Sequence, residues 1–141
     1  MKIISLDKKS YIELDCVEID NNEMLPSMCI SVSIQNEGFY GYISDIYIEW
    51  DNVKNFIRQT KDSTYKTNYT ACLVSMSPDE MELYFEKVNS ETGTLKYKIS
   101  KPIFIGRERH TLTLSGGGFE FNLYSLDSIR RFFLQYEHKF A

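Results

Sequence analysis

The chain has 141 residues, 43% hydrophobic and 26% charged, with a formal net charge of -4. These values describe a globular chain rather than a disordered one, and the length suits a single domain, 1–141, that buries a core without metal or disulfide support. The longest apolar runs fall far short of the roughly 18 residues that span a bilayer, the N-terminus lacks a secretory apolar core, and three Cys without a C-x-x-C pair oppose a disulfide framework, so the expectation is a cytoplasmic protein with no membrane association.

Most of the chain alternates with a period of two, the signature of strands. Ile12, Leu14 and Cys16 share one face, opposite Glu13 and Asp15. Met28, Ile30, Val32 and Ile34 share another, opposite Cys29, Ser31 and Ser33. Tyr40 and Tyr42 lie together on a third strand. Then Asp51 can cap a helix over 51–61, with Val53, Phe56, Ile57 and Thr60 at i, i+3, i+4 and i+7.

Strand spacing resumes with Leu73, then Met81, Leu83 and Phe85. Leu95, Tyr97 and Ile99 alternate with Lys96 and Lys98, Leu112 and Leu114 with Thr111 and Thr113, and Phe119, Phe121 and Leu123 with Glu120 and Asn122. Ser125 or Asp127 can cap a last helix over 126–139, striped by Ile129, Phe132, Phe133, Tyr136 and Phe140. Turn chemistry falls at Asp20-Asn21-Asn22, Asn36-Glu37-Gly38, Ser77-Pro78-Asp79, Glu91-Thr92-Gly93 and Ser115 to Gly118. Short turns between strands imply antiparallel pairing.

The predicted fold is therefore α+β: a largely antiparallel sheet with two helices packed on one face. An offset of 76 superposes the helices: Trp50 meets Leu126, Asp51 meets Asp127, Val53 meets Ile129, Phe56 meets Phe132, Ile57 meets Phe133, and upstream Gly41 meets Gly117. This reads as an internal two-fold repeat with halves 1–62 and 69–141.

Residues suited to chemistry are present, but none forms a catalytic motif. His110 and His138 have no metal-ligand neighbour at helical spacing. Cys16, Cys29 and Cys72 lie in strands without a local activating group, as small buried hydrophobes do. Gly116-Gly117-Gly118 lacks the Gly-Lys-Ser/Thr of a phosphate loop and reads as a hairpin loop or bulge. The carboxylate pairs Glu13–Asp15, Glu18–Asp20 and Asp79–Glu80 could serve acid–base work, yet no cation loop surrounds them. Asn68-Tyr69-Thr70 matches a glycosylation sequon, and with no secretory route expected it is read as a chance match. Catalytic residues, metal and cofactor are all expected to be none.

Charge placement carries more information. No Lys or Arg occurs between Lys9 and Lys54, and that window holds nine acids. Such a window is either a solvated surface or a docking face for a basic partner, and it disfavours nucleic acid. The candidate partner-binding residues are Glu13, Asp15, Glu18, Asp20, Asp45 and Glu49.

Gly38-Phe39-Tyr40-Gly41, the strand through Ile46-Tyr47-Ile48-Glu49-Trp50, the helix from Asp51 to Ile57, and Phe119-Glu120-Phe121-Asn122-Leu123 leading into Leu126-Asp127-Ser128-Ile129 resemble the small bacterial immunity proteins of the WapI type. Those proteins pair with polymorphic contact-dependent toxins. The resemblance implies a non-enzymatic cytoplasmic inhibitor that binds a toxin domain, often a basic secreted nuclease. It carries over no catalytic residues. The expected function is thus an immunity protein that neutralises its toxin through an acidic surface. Two rivals stand beside it: a small hydrolase or isomerase with a carboxylate site, and a ligand-binding or structural domain. The sequence leaves the oligomeric state open.

Overall fold

Four strands and a helix are followed by four strands and a helix in the computed structural model, which describes residues 1–62, 70–77 and 79–140. The first group is β1 (Lys2–Ile4), β2 (Tyr11–Asp20), β3 (Ser27–Asn36), β4 (Phe39–Glu49) and α1 (Trp50–Asp62). The second is β5 (Thr70–Val74), β6 (Met81–Lys87), β7 (Thr92–Ile105), β8 (Glu108–Asn122) and α2 (Ser125–Leu134), closed by a 3-10 turn over Glu137–Phe140. Within each group every strand pairs antiparallel with its sequence neighbours, in a first sheet ordered β1-β2-β3-β4 and a second ordered β5-β6-β7-β8.

The expected single sheet with helices on one face is therefore corrected to two sheets. The break falls where α1 separates β4 from β5, because only strands joined by a short turn zip up as a hairpin. Inward side chains of both sheets and the apolar stripes of both helices meet in one buried cluster. At its centre Phe56 of α1 touches Phe85 of β6 and Phe133 of α2, with ring centroids 5.4 and 6.1 Å apart. Phe121 of β8 meets Phe85 edge-on at 5.8 Å. Each such ring contributes about 1.5–3 kcal/mol by leaving water.

The sheets are also joined along their margins. Met76 N–H donates to the Tyr47 carbonyl at 2.7 Å, and Leu6 N–H to the Glu120 carbonyl at 2.9 Å. Asn36 Nδ2 donates to the Tyr97 hydroxyl at 2.9 Å. Gly41 lets β4 approach β7 and β8, since a Cβ there would lie 2.8 Å from Leu114 Cδ2. Between the helices, Arg130 Nη1 donates to the Thr60 carbonyl at 2.9 Å, satisfying the end of α1.

The helical stripes are buried as their spacing predicts: Val53, Phe56, Ile57 and Thr60 in α1, and Ile129, Phe132 and Phe133 in α2. The caps differ. α1 begins at Trp50, so Asp51 sits in the first turn and pairs with Lys54 Nζ at 2.8 Å instead of capping. α2 follows Tyr124, which makes no side-chain cap, and Asp127 pairs with Arg130. The second helix stops at Leu134 rather than 139. A tighter 3-10 turn replaces its end, and Phe140 stacks on Trp50 with centroids 4.1 Å apart.

Two turn assignments also change. Thr92 and Gly93 open β7, while the turn before them is made by Asn89, whose Oδ1 accepts from Glu91 and Thr92 N–H. Ser115 to Gly118 lies within β8 rather than in a turn between strands, with a bulge at Gly117-Gly118 opposite Lys96, the second of the two readings of the glycine run. Gly118 has φ +86, and a Cβ there would fall 1.4 Å from the Leu95 carbonyl oxygen. Pro78 and Asn68-Tyr69 lie outside the described residues.

Candidate docking face

The six predicted acids come to one side of the first sheet, and two β-bulges put them there. In β3, Met28, Ile30, Val32 and Ile34 point into the core. Ser27, Cys29, Ser31 and Ser33 therefore point outward. β2 faces them with Asp20 opposite Ser27, Glu18 opposite Cys29, Asp15 opposite Ser31 and Glu13 opposite Ser33. This alignment requires one extra residue in β2, and the register shifts between Cys16 and Glu18. That extra residue is Val17. Without it, Glu18 and Asp20 would share the inward parity of Leu14.

The other flank repeats the device. In β4, Glu49 faces Ser27, Tyr47 faces Cys29, Tyr42 faces Ser33 and Tyr40 faces Gln35. Register shifts between Ile30 and Val32, where Ser44 and Asp45 occupy one place and Asp45 takes φ +60. The bulge turns the Asp45 carboxylate toward Cys29, whose thiol donates to Oδ1 at 3.9 Å. The result is a floor of small side chains between an acidic row on β2 and a row of tyrosines with Asp45 and Glu49 on β4. Tyr47 was not among the sequence candidates. It stands five residues from Tyr42, so unbroken alternation assigns the two to opposite faces.

Among the described residues, cations come within 4.0 Å of this face at one margin. Lys2 Nζ lies 4.0 Å from Glu13, and the Met1 amine 3.9 Å from Asp15. Among the described residues no cation is within 4.0 Å of Glu18, Asp20, Asp45 or Glu49. The negative field persists around the floor. Burial, and then the Asp45 carboxylate, push the Cys29 thiol up to about 11. Cys29 and Glu18 hold the Tyr47 phenol above its ordinary value.

The other candidates lie elsewhere. Burial raises the Cys16 thiol beside Tyr136, and the Cys72 thiol beside Tyr84. His110 is exposed on β8, with Nε2 3.4 Å from Glu108. His138 is exposed in the 3-10 turn. Asp79 stands 3.9 Å from Lys98. A groove of about 450 Å³ between β4 and the β7–β8 hairpin is lined by Tyr40, Tyr42, Ile43, Ile99, Leu112 and Leu114, among others. An adjoining cavity of about 280 Å³ brings Asp45 and Glu80 together with Lys101, without a His or Cys in its lining. Among the described residues no three His, Cys, Asp or Glu converge to hold a metal ion, and no helix is long and apolar enough to cross a membrane.

No family model, curated protein or solved structure matches the chain.

Proposed function

We propose that the protein is a non-enzymatic binder that neutralises a basic protein, in the manner of an immunity protein against a toxin domain. The gathering of Glu13, Asp15, Glu18, Asp20, Asp45 and Glu49 on one face of the first sheet carries this reading. Carboxylates gathered on one face, four of them with no cation within 4.0 Å among the described residues, steer a basic partner and reject acidic ones. Tyr40, Tyr42 and Tyr47 supply contact area at low entropic cost, as aromatic anchors do at interfaces. The WapI-type resemblance supports a toxin as that partner. The equal order of elements in the two groups, with Gly41 on β4 and Gly117 on β8, supports an internal repeat. The cytoplasm fits a chain with three free Cys.

The test uses the product of the coding sequence adjoining this one, where an immunity protein of the WapI type is expected to have its toxin. Its association rate with the purified protein is measured against salt. Wild type should bind fast at low salt and slow as screening shortens the field to about 8 Å at physiological ionic strength. A variant with Asp15, Glu18, Asp45 and Glu49 changed to Lys should bind far more slowly while melting near the wild-type temperature, because exposed charges contribute little to folding. Equal rates for the two proteins at every salt concentration would refute the reading.

A further inference from the structure

The β6–β7 ladder ends at Met81 and Ile99, but β7 and β8 remain paired as far as Ile105 and Glu108. Residues 101–112 thus form a two-stranded ribbon with no third strand. A ribbon of this kind is marginal in water on its own. It is also apolar: Phe104 is 69% exposed, Ile105 63% and Leu112 51%. Its charge opposes that of the docking face, with Lys101, Arg107 and Arg109 against Glu108 alone. Among the described residues no carboxylate lies within 4.0 Å of Lys101, Arg107 or Arg109.

We propose that this ribbon docks on the acidic face of a second copy, and that two copies embrace reciprocally. The occupant follows from charge. A basic strip with an apolar tip fits an acidic face that carries tyrosines, and this chain presents both. Closure follows from position. Lys101 and Pro102 at the ribbon's base line the same cavity as Tyr42, Ser44 and Asp45 at the margin of the face. Ribbon and face are neighbours, so a two-fold axis beside β4 lets each ribbon cross to the other copy's face, and the contact closes at two. Nucleic acid is the weaker occupant, because the net charge is -4 and carboxylates border the ribbon's base. The inference uses the face described above but not the basic partner, and its test needs only the isolated chain; the ribbon and a basic partner compete for that face, so the association rates above are read at concentrations where the chain is a single copy.

That test is sedimentation of the purified protein from about 1 to about 500 µM, a span that brackets micromolar affinity, at low and high salt. At low salt the mass should double from 16.5 kDa as concentration rises, and high salt should return it to one copy. R107E/R109E and D45K/E49K should each remain at one copy. Mixing them should restore the doubled mass, because the unchanged ribbon then meets an unchanged face and the reversed ribbon meets two lysines at the β4 margin of the other. If R107E/R109E does not fold, Phe104→Ser carries the same expectation of a monomer. A single copy at every concentration, a dimer that survives the ribbon changes, growth beyond two copies, or a shift seen only on adding a single-stranded RNA oligonucleotide would each overturn the proposal.

Discussion

Cys29 on β3 and Asp45 on β4 meet across the outer face of the first sheet, the thiol donating to the carboxylate at 3.9 Å. The contact exists because the bulge at Ser44-Asp45 turns an acid toward a side chain that is only 1% exposed. A thiolate formed there would be desolvated and would face a negative charge, so the proton is held.

Cys29 should therefore be the least reactive of the three thiols. A disulfide reagent at mildly alkaline pH should label the half-buried Cys16 and Cys72 first and reach Cys29 only on unfolding. The same shift sets a pH dependence. Between 9.0 and about 11 the folded thiol keeps a proton that the unfolded chain loses. The unfolded state then binds fewer protons, so this group's contribution to stability falls as pH rises through that window. Denaturant titrations of wild type and Cys29→Ser across it should diverge. Parallel curves would contradict the assignment.

Phe56 ties α1 to both β6 and α2. Phe56→Ala should cost about 3–5 kcal/mol, since it empties a site with no exposure. Phe39→Ala, at a site 71% exposed, should cost less than about 0.5 kcal/mol. Chemical denaturation of the two variants provides the comparison, and similar losses would place Phe56 outside the core.

Gly117 and Gly118 are adjacent but not equivalent. A Cβ at Gly117 meets nothing within 4 Å, whereas at Gly118 it collides with the Leu95 carbonyl and φ is +86. Gly118→Ala should destabilise by more than about 2 kcal/mol through clash and backbone strain. Gly117→Ala should leave the melting temperature nearly unchanged. A reversed order would mean that the bulge lies elsewhere.

The polar bridge between the sheets has its own signature. Ser10 Oγ donates to Asn36 Oδ1 at 3.0 Å, and Asn36 Nδ2 to the Tyr97 hydroxyl at 2.9 Å. Tyr97→Phe should cost about 1 kcal/mol, the scale of one lost hydrogen bond. In an Asn36→Ala background the same change should cost much less, because the donor is already gone. Equal costs in both backgrounds would show that the bridge does not couple the sheets.

The residues by themselves determined most of the local structure. Alternation marks the strands because successive side chains point to opposite sides of a pleated backbone. The stripes of Val53, Phe56 and Ile57 and of Ile129, Phe132 and Phe133 mark the helices because positions three and four apart share a helical face. Counting Lys and Arg isolates the acidic window. Tertiary structure decided how these parts combine. It divided the strands into two sheets, tightened the end of α2 so that Phe140 stacks on Trp50, and extended β7 and β8 into a ribbon. It also decided which acids act together. Glu13 and Asp15 differ in parity from Glu18 and Asp20, so regular alternation sends the two pairs to opposite faces. Val17, the residue added at the β2 bulge, reverses the parity and brings all four to one side. A bulge depends on how one strand pairs with its neighbour, and a side-chain period of two makes one added residue enough to exchange core for surface.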